Sequence, residues 1–228
     1  MALGYEEVGL FITFEGIEGS GKTTQIKRLA ARLHACGVSP VVTFEPGGTG
    51  IGKKIRQILL DSRNQNLTPL AELLLYSADR AQHVDEVIKP ALNQGEWVLC
   101  DRFLDATEAY QGWARGQDMG LIRSLNAKVT EGISPDITFL LDCPVEVGLG
   151  RALQRDEKGQ NRGQDRFERE KVAFHQEVRK AYLDLARRDP SRFVMIDARQ
   201  GEEDLEEEIF KHIEPFLDLD GKHGDRSG

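Results

Sequence analysis

Short apolar runs alternate with longer stretches of helical periodicity along the chain. Five such runs predict strands at 8–14, 40–44, 97–100, 137–142 and 192–197. Apolar residues spaced three and four positions apart predict helices after 21 and at roughly 50–61, 68–93, 103–115, 118–131, 144–156, 166–188 and 201–217. Strands that are apolar throughout suit a sheet covered on both faces. The alternation therefore predicts an α/β fold with a buried, five-stranded parallel sheet flanked by helices.

Two polar segments interrupt this pattern. The stretch 155–166, RDEKGQNRGQDR, predicts a loop, and 218–228, DLDGKHGDRSG, predicts a disordered tail. The remainder, 1–217, is expected to form a single domain. The N-terminal MALGYEEVGLF lacks the basic region of a signal peptide, and no apolar run is long enough to span a bilayer.

The charge balance limits the classes of partner. A formal net charge of −8 and a pI near 5.3 argue against a nucleic-acid or membrane-binding surface, since both need a basic face. The three cysteines, Cys36, Cys100 and Cys143, are widely spaced and odd in number. That usage favours reduced thiols in a cytoplasmic protein over a disulfide framework or a zinc site.

The segment after the first strand fits the phosphate-binding pattern GxxxxGK[ST] at every fixed position. The residues expected to bind ATP are Gly16, Ile17, Glu18, Gly19, Ser20, Gly21, Lys22, Thr23 and Thr24. Because the segment lies between a strand and a helix, backbone N–H groups and the helix N-terminus would converge on the phosphates. Lys22 is expected to reach the β- and γ-phosphates and Thr23 to hold Mg²⁺. A chance glycine-rich turn would lack this context.

The motif does not identify the acceptor, because GTPases, motors, regulatory ATPases and kinases share it. Asp101 and Arg102 follow the third strand, and ligands of open α/β sheets bind at the carboxyl ends of strands. Asp101 is expected to organise Mg²⁺ through water, and Arg102 to clamp an acceptor phosphate. The alternative is an Asp–Arg surface pair.

The predicted helix 68–93 adds an aromatic ring and a guanidinium. Tyr76 and Arg80 lie one turn apart and would suit a nucleobase, by stacking and by donating to a carbonyl. A solvated helix face is the alternative. The stripe expected to be buried comprises Leu70, Leu73, Leu74, Ala81, Val84 and Ile88.

Together these segments resemble the thymidylate kinase family, whose members phosphorylate dTMP. The resemblance covers about 8–217. It rests on FEGIEGSGKTTQ, FEPGGTGIG, LLLYSADRAQHV, IKPAL, WVLCDRF, AYQG, PDITFLLDCPVEVGL and DRFE. It implies the three-layer P-loop NTPase fold with a short lid at 155–166, ATP as co-substrate, Mg²⁺, and a cytoplasmic homodimer. The implied reaction is ATP + dTMP → ADP + dTDP, in dTTP synthesis for DNA replication.

The resemblance also implies roles on the acceptor base. Tyr76 takes the place of the aromatic residue that stacks on thymine, and Arg80 that of the arginine bonded to a thymine carbonyl. Gln111 matches the amide that binds the base edge. Thr107 matches a polar position near the base, next to Ala106, where the family usually has Ser.

A second set of implied roles concerns the sugar and the phosphate of dTMP. Arg102 matches the arginine on the phosphate, and Tyr110 the tyrosine whose bulk disfavours a ribose 2′-OH. Glu18 matches the acid that receives the 3′-OH, which accounts for a carboxylate inside an anion-binding loop. Glu15 stays open between orienting a Mg²⁺-bound water, orienting an arginine, and acting as a paired structural acid.

Catalytic charge is expected from the lid, in addition to Lys22 and Arg102. Some family members have a basic residue where this chain has Gly19, whereas the bacterial class that it resembles uses lid arginines. The candidates are Arg155 foremost, then Arg151, Arg162 and Arg166.

One departure concerns the acceptor phosphate, because Phe44 stands where the family usually has an arginine. Either Arg102 and a nearby Lys suffice or dTMP binds more weakly. Two rival functions remain: another nucleotide or deoxynucleoside kinase, and a P-loop ATPase that switches a partner. The switch would need no second base pocket.

Overall fold

The computed structural model describes residues 9–157, 166–167 and 170–220. The strands are β1 Phe11–Glu15, β2 Val41–Phe44, β3 Val98–Asp101, β4 Ile137–Asp142 and β5 Phe193–Asp197. They form one parallel sheet in the order β2-β3-β1-β4-β5. The predicted five-stranded parallel α/β fold is confirmed.

Nine α-helical segments are found in the described part of the chain. These are α1 Lys22–Ala35, α2 Gly50–Leu60, α3 Pro69–His83, α4 Lys89–Asn93, α5 Leu104–Thr107, α6 Met119–Thr130, α7 Val145–Glu157, α8 Val172–Arg188 and α9 Glu202–Asp220. Two π-helical segments extend them: Val84–Ile88 joins α3 to α4, and Glu108–Ala114 continues α5. None of the helices described has the length and apolar character needed to cross a membrane.

The core lies on both faces of the sheet because successive strand residues point to opposite sides. Phe11 belongs to a cluster with Val98 and Ile88, whereas Ile12 belongs to the larger cluster that includes Leu29 of α1. Strand β1 is buried along its whole length. This double coverage produces the three-layer arrangement and places the carboxyl end of β1 at the centre of one edge of the sheet.

Several sequence-based boundaries need correction. The last helix extends to Asp220 rather than ending at 217, and α8 begins at Val172 rather than at 166. The rest of the predicted tail, 221–228, and most of the predicted lid lie outside the described residues.

The predicted buried stripe of α3 was wrong at two positions. Leu70 and Leu74 are 51% and 48% exposed. The helix instead turns a largely polar side inward, which includes the buried residues Glu72, Asp79 and Arg80. Apolar periodicity misassigned this face because these polar side chains meet buried hydrogen-bond partners from distant segments.

Candidate active site

The phosphate loop connects β1 to α1 and is held close to α7. Gly19 has φ +71°, and a Cβ placed there would lie 1.9 Å from the carbonyl oxygen of Gly148. Any side chain at position 19 would therefore force α7 away from the loop. This contact explains why the loop of this chain has no room for a basic residue at that position.

Lys22 begins α1 and folds its side chain back into the loop. Its Nζ donates to the carbonyls of Gly16 at 3.0 Å and Ile17 at 2.9 Å, and lies 3.3 Å from Oγ of Ser20. Burial and the nearby charge of Arg102 lower the pKa of Lys22 to about 8. The ammonium is thus held by two loop carbonyls and a hydroxyl, within the loop that the motif assigns to phosphates.

Thr23 and Asp101 meet across the loop, as their assignment to one metal site requires. The Thr23 hydroxyl donates to Oδ2 of Asp101 at 2.6 Å. A hydroxyl and a carboxylate supply the oxygen ligands that Mg²⁺ prefers. The residues present therefore fit the predicted ion.

Arg102 occupies the turn after β3 with φ 69°, a left-handed conformation uncommon outside glycine. Its Nη1 donates to the Gly16 carbonyl at 2.9 Å and to the Tyr182 hydroxyl at 3.1 Å. Its Nη2 donates to Oε1 of Glu18 at 3.1 Å. Asp101 and Arg102 thus bind different partners, which contradicts the alternative of a simple surface pair.

Glu18 turns its side chain away from the phosphate-binding backbone. Oε1 accepts from Tyr110 Oη at 2.7 Å as well as from Arg102, and Nδ1 of His175 lies 3.2 Å from Oε2. Burial alone raises the pKa of Glu18, but the His175 ring and the charges of Arg102 and Lys22 outweigh burial and hold the pKa well below its usual range. Glu18 is therefore a permanent anion beside the loop.

Glu15 is fully buried at the end of β1. Oε1 accepts from the backbone N–H of Phe103 at 2.8 Å, and Oε2 accepts from the Tyr182 hydroxyl at 2.7 Å. Burial, followed by the charge of Asp105, raises the pKa of Glu15 to about 7. These contacts favour a paired structural acid that also orients Arg102 through Tyr182.

A cavity of about 570 Å³ opens between the loop and helices α2, α3 and α5. It joins most of the residues predicted for both substrates. Those lining it are Glu18, Gly19, Gly21, Lys22, Thr23, Thr24, Tyr76, Arg80, Asp101, Arg102, Thr107, Tyr110 and Gln111. Gly16, Ile17 and Ser20 belong to the same loop without lining the cavity, and Ser20 is buried.

Arg80 is 1% exposed, so the alternative of a solvated helix face is wrong. Its three nitrogens donate to Oε2 of Glu45 at 2.8 Å, Oδ1 of Asn126 at 2.9 Å and the Phe103 carbonyl at 2.9 Å. Tyr76 lies one turn before Arg80 on the cavity wall. The guanidinium is thus anchored in a rigid position at the cavity edge.

The π-helical segment Glu108–Ala114 brings Tyr110 and Gln111 to the cavity, and such segments are frequent at functional sites. The Tyr110 ring lies 5.0 Å from the Arg102 guanidinium carbon. Thr107, just before this segment, is buried with no hydrogen-bond partner for its hydroxyl. A buried hydroxyl without a partner is costly, which makes it a natural point of contact for a ligand.

The predicted catalytic arginines of the lid fall outside this cavity where the structure describes them. Arg151 of α7 donates to the Ala198 carbonyl at 3.0 Å, and Arg166 donates to the Leu59 carbonyl and to Glu72. The side chain of Arg155 and all of Arg162 lie outside the described residues. A role for these arginines on the transferred phosphoryl group stays a prediction, and it requires Arg151 and Arg166 to change partners.

Two further residues at the site were missed by sequence reasoning. Arg56 of α2 lines the cavity, donates to the Pro46 carbonyl at 2.8 Å and lies 5.7 Å from the Phe44 ring. His175 is fully buried against Glu18. Its only sequence signal is a polar residue in register with Val178 and Tyr182 on the buried face of α8.

Comparison with known proteins agrees with this geometry. A family model for thymidylate kinase matches residues 14–209. The chain belongs to the thymidylate kinase family. The thymidylate kinase of Desulfosudis oleivorans is 60% identical over 190 residues, which cover 83% of this chain and 89% of that protein. That of Syntrophotalea carbinolica is 51% identical over 214 residues, covering 94% and 99%.

A solved structure shows the same fold. The crystal structure of thymidylate kinase from Ehrlichia chaffeensis matches with a TM-score of 0.72 and 35% identity, covering 90% of this chain and 99% of that chain. The predicted P-loop NTPase fold is confirmed. Membership of the thymidylate kinase family makes the protein an enzyme, and specifically a kinase.

Proposed function

We propose that this member of the thymidylate kinase family transfers the γ-phosphoryl group of ATP to dTMP, giving dTDP for dTTP synthesis in DNA replication. The observation that carries the proposal is one cavity lined both by the phosphate loop and by Tyr76, Arg80 and Arg102, the residues expected to bind the base and phosphate of an acceptor. A regulatory ATPase has no use for these acceptor-binding residues. The acceptor phosphate is already an anion near neutral pH, so catalysis consists of positioning and charge neutralisation.

The acceptor phosphate would lie between the loop and the guanidinium groups of Arg102 and Arg56. Both arginines line the cavity, and Arg56 stands beside Phe44, the position where the family usually has an arginine. We expect Arg56 to supply the cation that an arginine at the position of Phe44 would provide. Tyr76 and Arg80 would take the base, and Tyr110 would lie beneath the sugar.

Binding of dTMP exchanges hydrogen bonds at Glu18. Its Oε1 already accepts from Tyr110 and Arg102. When Arg102 turns to the acceptor phosphate it releases one lone pair of Oε1, and the 3′-OH of the sugar takes that lone pair. The substrate thus replaces one internal ion pair with two contacts of its own.

On the donor side, Lys22 leaves the carbonyls of its own loop for the ATP phosphates. A Mg²⁺ ion would be held by Thr23 and, through water, by Asp101, and it would neutralise charge on those phosphates. Among the residues that the structure describes, no group of three or more His, Cys, Asp or Glu side chains is placed to hold a metal. Phosphate oxygens and water would complete the coordination, as is usual for Mg²⁺.

A cytoplasmic homodimer completes the proposal. Leu70 and Leu74 of α3 and Leu121 of α6 are exposed apolar residues on two helices that pack against each other. A second copy of the chain would cover them. The cysteines described are all free thiols, which suits a reducing compartment.

Direct product analysis tests this function. Purified protein, γ-labelled ATP, Mg²⁺ and dTMP should give labelled dTDP and an equal amount of unlabelled ADP. A chelator should abolish the reaction. Lys22→Met, which removes the cation of the loop, should reduce turnover by about 10³-fold or more while the protein remains folded. Release of labelled phosphate independent of dTMP would instead favour the regulatory ATPase.

A further inference from the structure

Glu72 is a buried acid of α3 that none of the roles above uses. It is 1% exposed and does not line the substrate cavity. Instead it lines a second, smaller cavity of about 290 Å³ together with Arg115 and Arg166. A buried carboxylate is costly unless its lone pairs are filled, so its partners indicate its purpose.

Those partners lie on both sides of Glu72. Oε2 accepts from Arg166 Nη2 at 2.6 Å, and Oε1 lies 3.5 Å from Arg115 Nε. Oε1 also accepts from Nε2 of Gln111 at 2.8 Å, and Gln111 does line the substrate cavity. Glu72 therefore supports a residue of the cavity wall from behind, and Arg115, which has no predicted catalytic role, lies beside the same carboxylate.

This contact fixes which end of the Gln111 amide faces the cavity. A carboxylate only accepts hydrogen bonds, so the amide NH₂ must be the end that faces it. The reversed amide would place its oxygen against the oxygen of Glu72 and leave two buried acceptors unpaired. Gln111 is 1% exposed, so its amide is paired with protein groups rather than with bulk solvent. Its carbonyl oxygen is thus directed to the substrate side.

We propose that Glu72 is a positioning residue that sets base specificity by holding the Gln111 carbonyl oxygen toward the N3 edge of the acceptor pyrimidine. Thymine has an N–H at N3 and donates to that oxygen. Cytosine has a lone pair at N3 and is repelled by it. The inference rests on the proposed function, since it concerns how the same site distinguishes its acceptor.

The test compares dTMP with 5-methyl-dCMP, which has the same methyl group, sugar and phosphate and differs only at N3 and C4. Glu72→Gln replaces the carboxylate with an amide that can pair with Gln111 in either orientation. The ratio of kcat/KM for dTMP to that for 5-methyl-dCMP should fall by about tenfold or more, the range expected for misaligning one buried hydrogen bond. The KM for ATP should stay within about twofold of the wild-type value.

Glu72→Asp is the matched control, because it keeps a group that only accepts. It should retain the preference for dTMP even where its turnover falls. If Glu72→Gln lowered kcat/KM equally for both nucleotides, so that their ratio did not change, the inference would be overturned. That result would not affect the proposed function, which rests on the dTMP kinase activity of the wild type. A wild-type protein that does not phosphorylate dTMP would instead overturn the proposed function.

A measurement on the wild type decides the matter if Glu72→Gln does not fold. The Nε2 protons of Gln111, assigned by their loss in Gln111→Leu, should exchange with solvent far more slowly than those of the exposed Gln200. Exchange as fast as that of Gln200 would show that the amide is not held by Glu72, and would overturn the inference.

Discussion

Replacing Glu18 with alanine should impair the use of dTMP, the acceptor, while leaving the binding of ATP, the donor, almost unchanged. Oε1 of Glu18 accepts hydrogen bonds from Tyr110 at 2.7 Å and from Arg102 at 3.1 Å. The 3′-OH of dTMP is proposed to take the lone pair that Arg102 now occupies. A hydrogen bond to a charged acceptor contributes about 1.5–3 kcal/mol. Loss of that bond should lower kcat/KM for dTMP by roughly 10- to 150-fold.

The assay compares dTMP with its 3′-deoxy analogue in both proteins. Wild-type enzyme should prefer dTMP by a factor in that range, and Glu18→Ala should bring the ratio close to one. The KM for ATP should change by less than about threefold, because the backbone of the loop, which binds the phosphates, is retained. Glu207→Ala is the control, since it removes a carboxylate that pairs with Arg32 at an exposed site. The assignment of Glu18 would be refuted if Glu18→Ala kept the preference for the 3′-OH, or if it weakened the binding of ATP as much as the binding of dTMP.

Three other variants probe the sugar pocket, the buried carboxyl of Glu15 and the proposed dimer contact. Tyr110→Ala should narrow the preference for dTMP over its ribose analogue by about tenfold or more, measured as a ratio of kcat/KM values, and an unaltered ratio would contradict the steric role. The pKa of the Glu15 carboxyl is near 4.5 in the unfolded chain and near 7 in the folded protein, so the free energy of unfolding of the wild type falls by up to about 3 kcal/mol as pH rises between those values. Glu15→Gln has no such carboxyl, so it should become more stable relative to the wild type over the same range. Urea unfolding at several pH values measures this, and a difference independent of pH would refute the burial argument. Leu74→Asp should shift the protein from dimer to monomer in sedimentation, and a wild-type monomer would exclude the dimer.

The phosphate loop could be predicted from the sequence because its geometry is local. A short segment between one strand and one helix specifies Lys22 and Thr23 together. The position of Asp101 and Arg102 was also predictable, since parallel strands bring their carboxyl ends to a common edge. The first inference needed only a local motif, and the second needed only that the strands run parallel.

Residues in contact across long sequence separations could not be predicted in this way. His175 meets Glu18 and Glu72 meets Gln111 only after several helices have packed. Arg56 of α2 reaches back to the turn after β2, where it meets Phe44 and the Pro46 carbonyl, and no local pattern indicates that pairing. The assignment of α3 failed at Leu70 and Leu74 for the same reason: its buried polar residues are compensated by distant partners, so its apolar residues mark its buried face only in part.

If dTMP is the phosphoryl acceptor, it should outcompete other nucleotides and nucleosides in a single reaction. ATP and Mg²⁺ are supplied with dTMP, dUMP, CMP, AMP and thymidine at equal concentrations, and the labelled products are separated and counted. Formation of dTDP should be fastest, and AMP and thymidine should receive little label. Faster phosphorylation of AMP or of thymidine than of dTMP would contradict the assignment of dTMP as the acceptor.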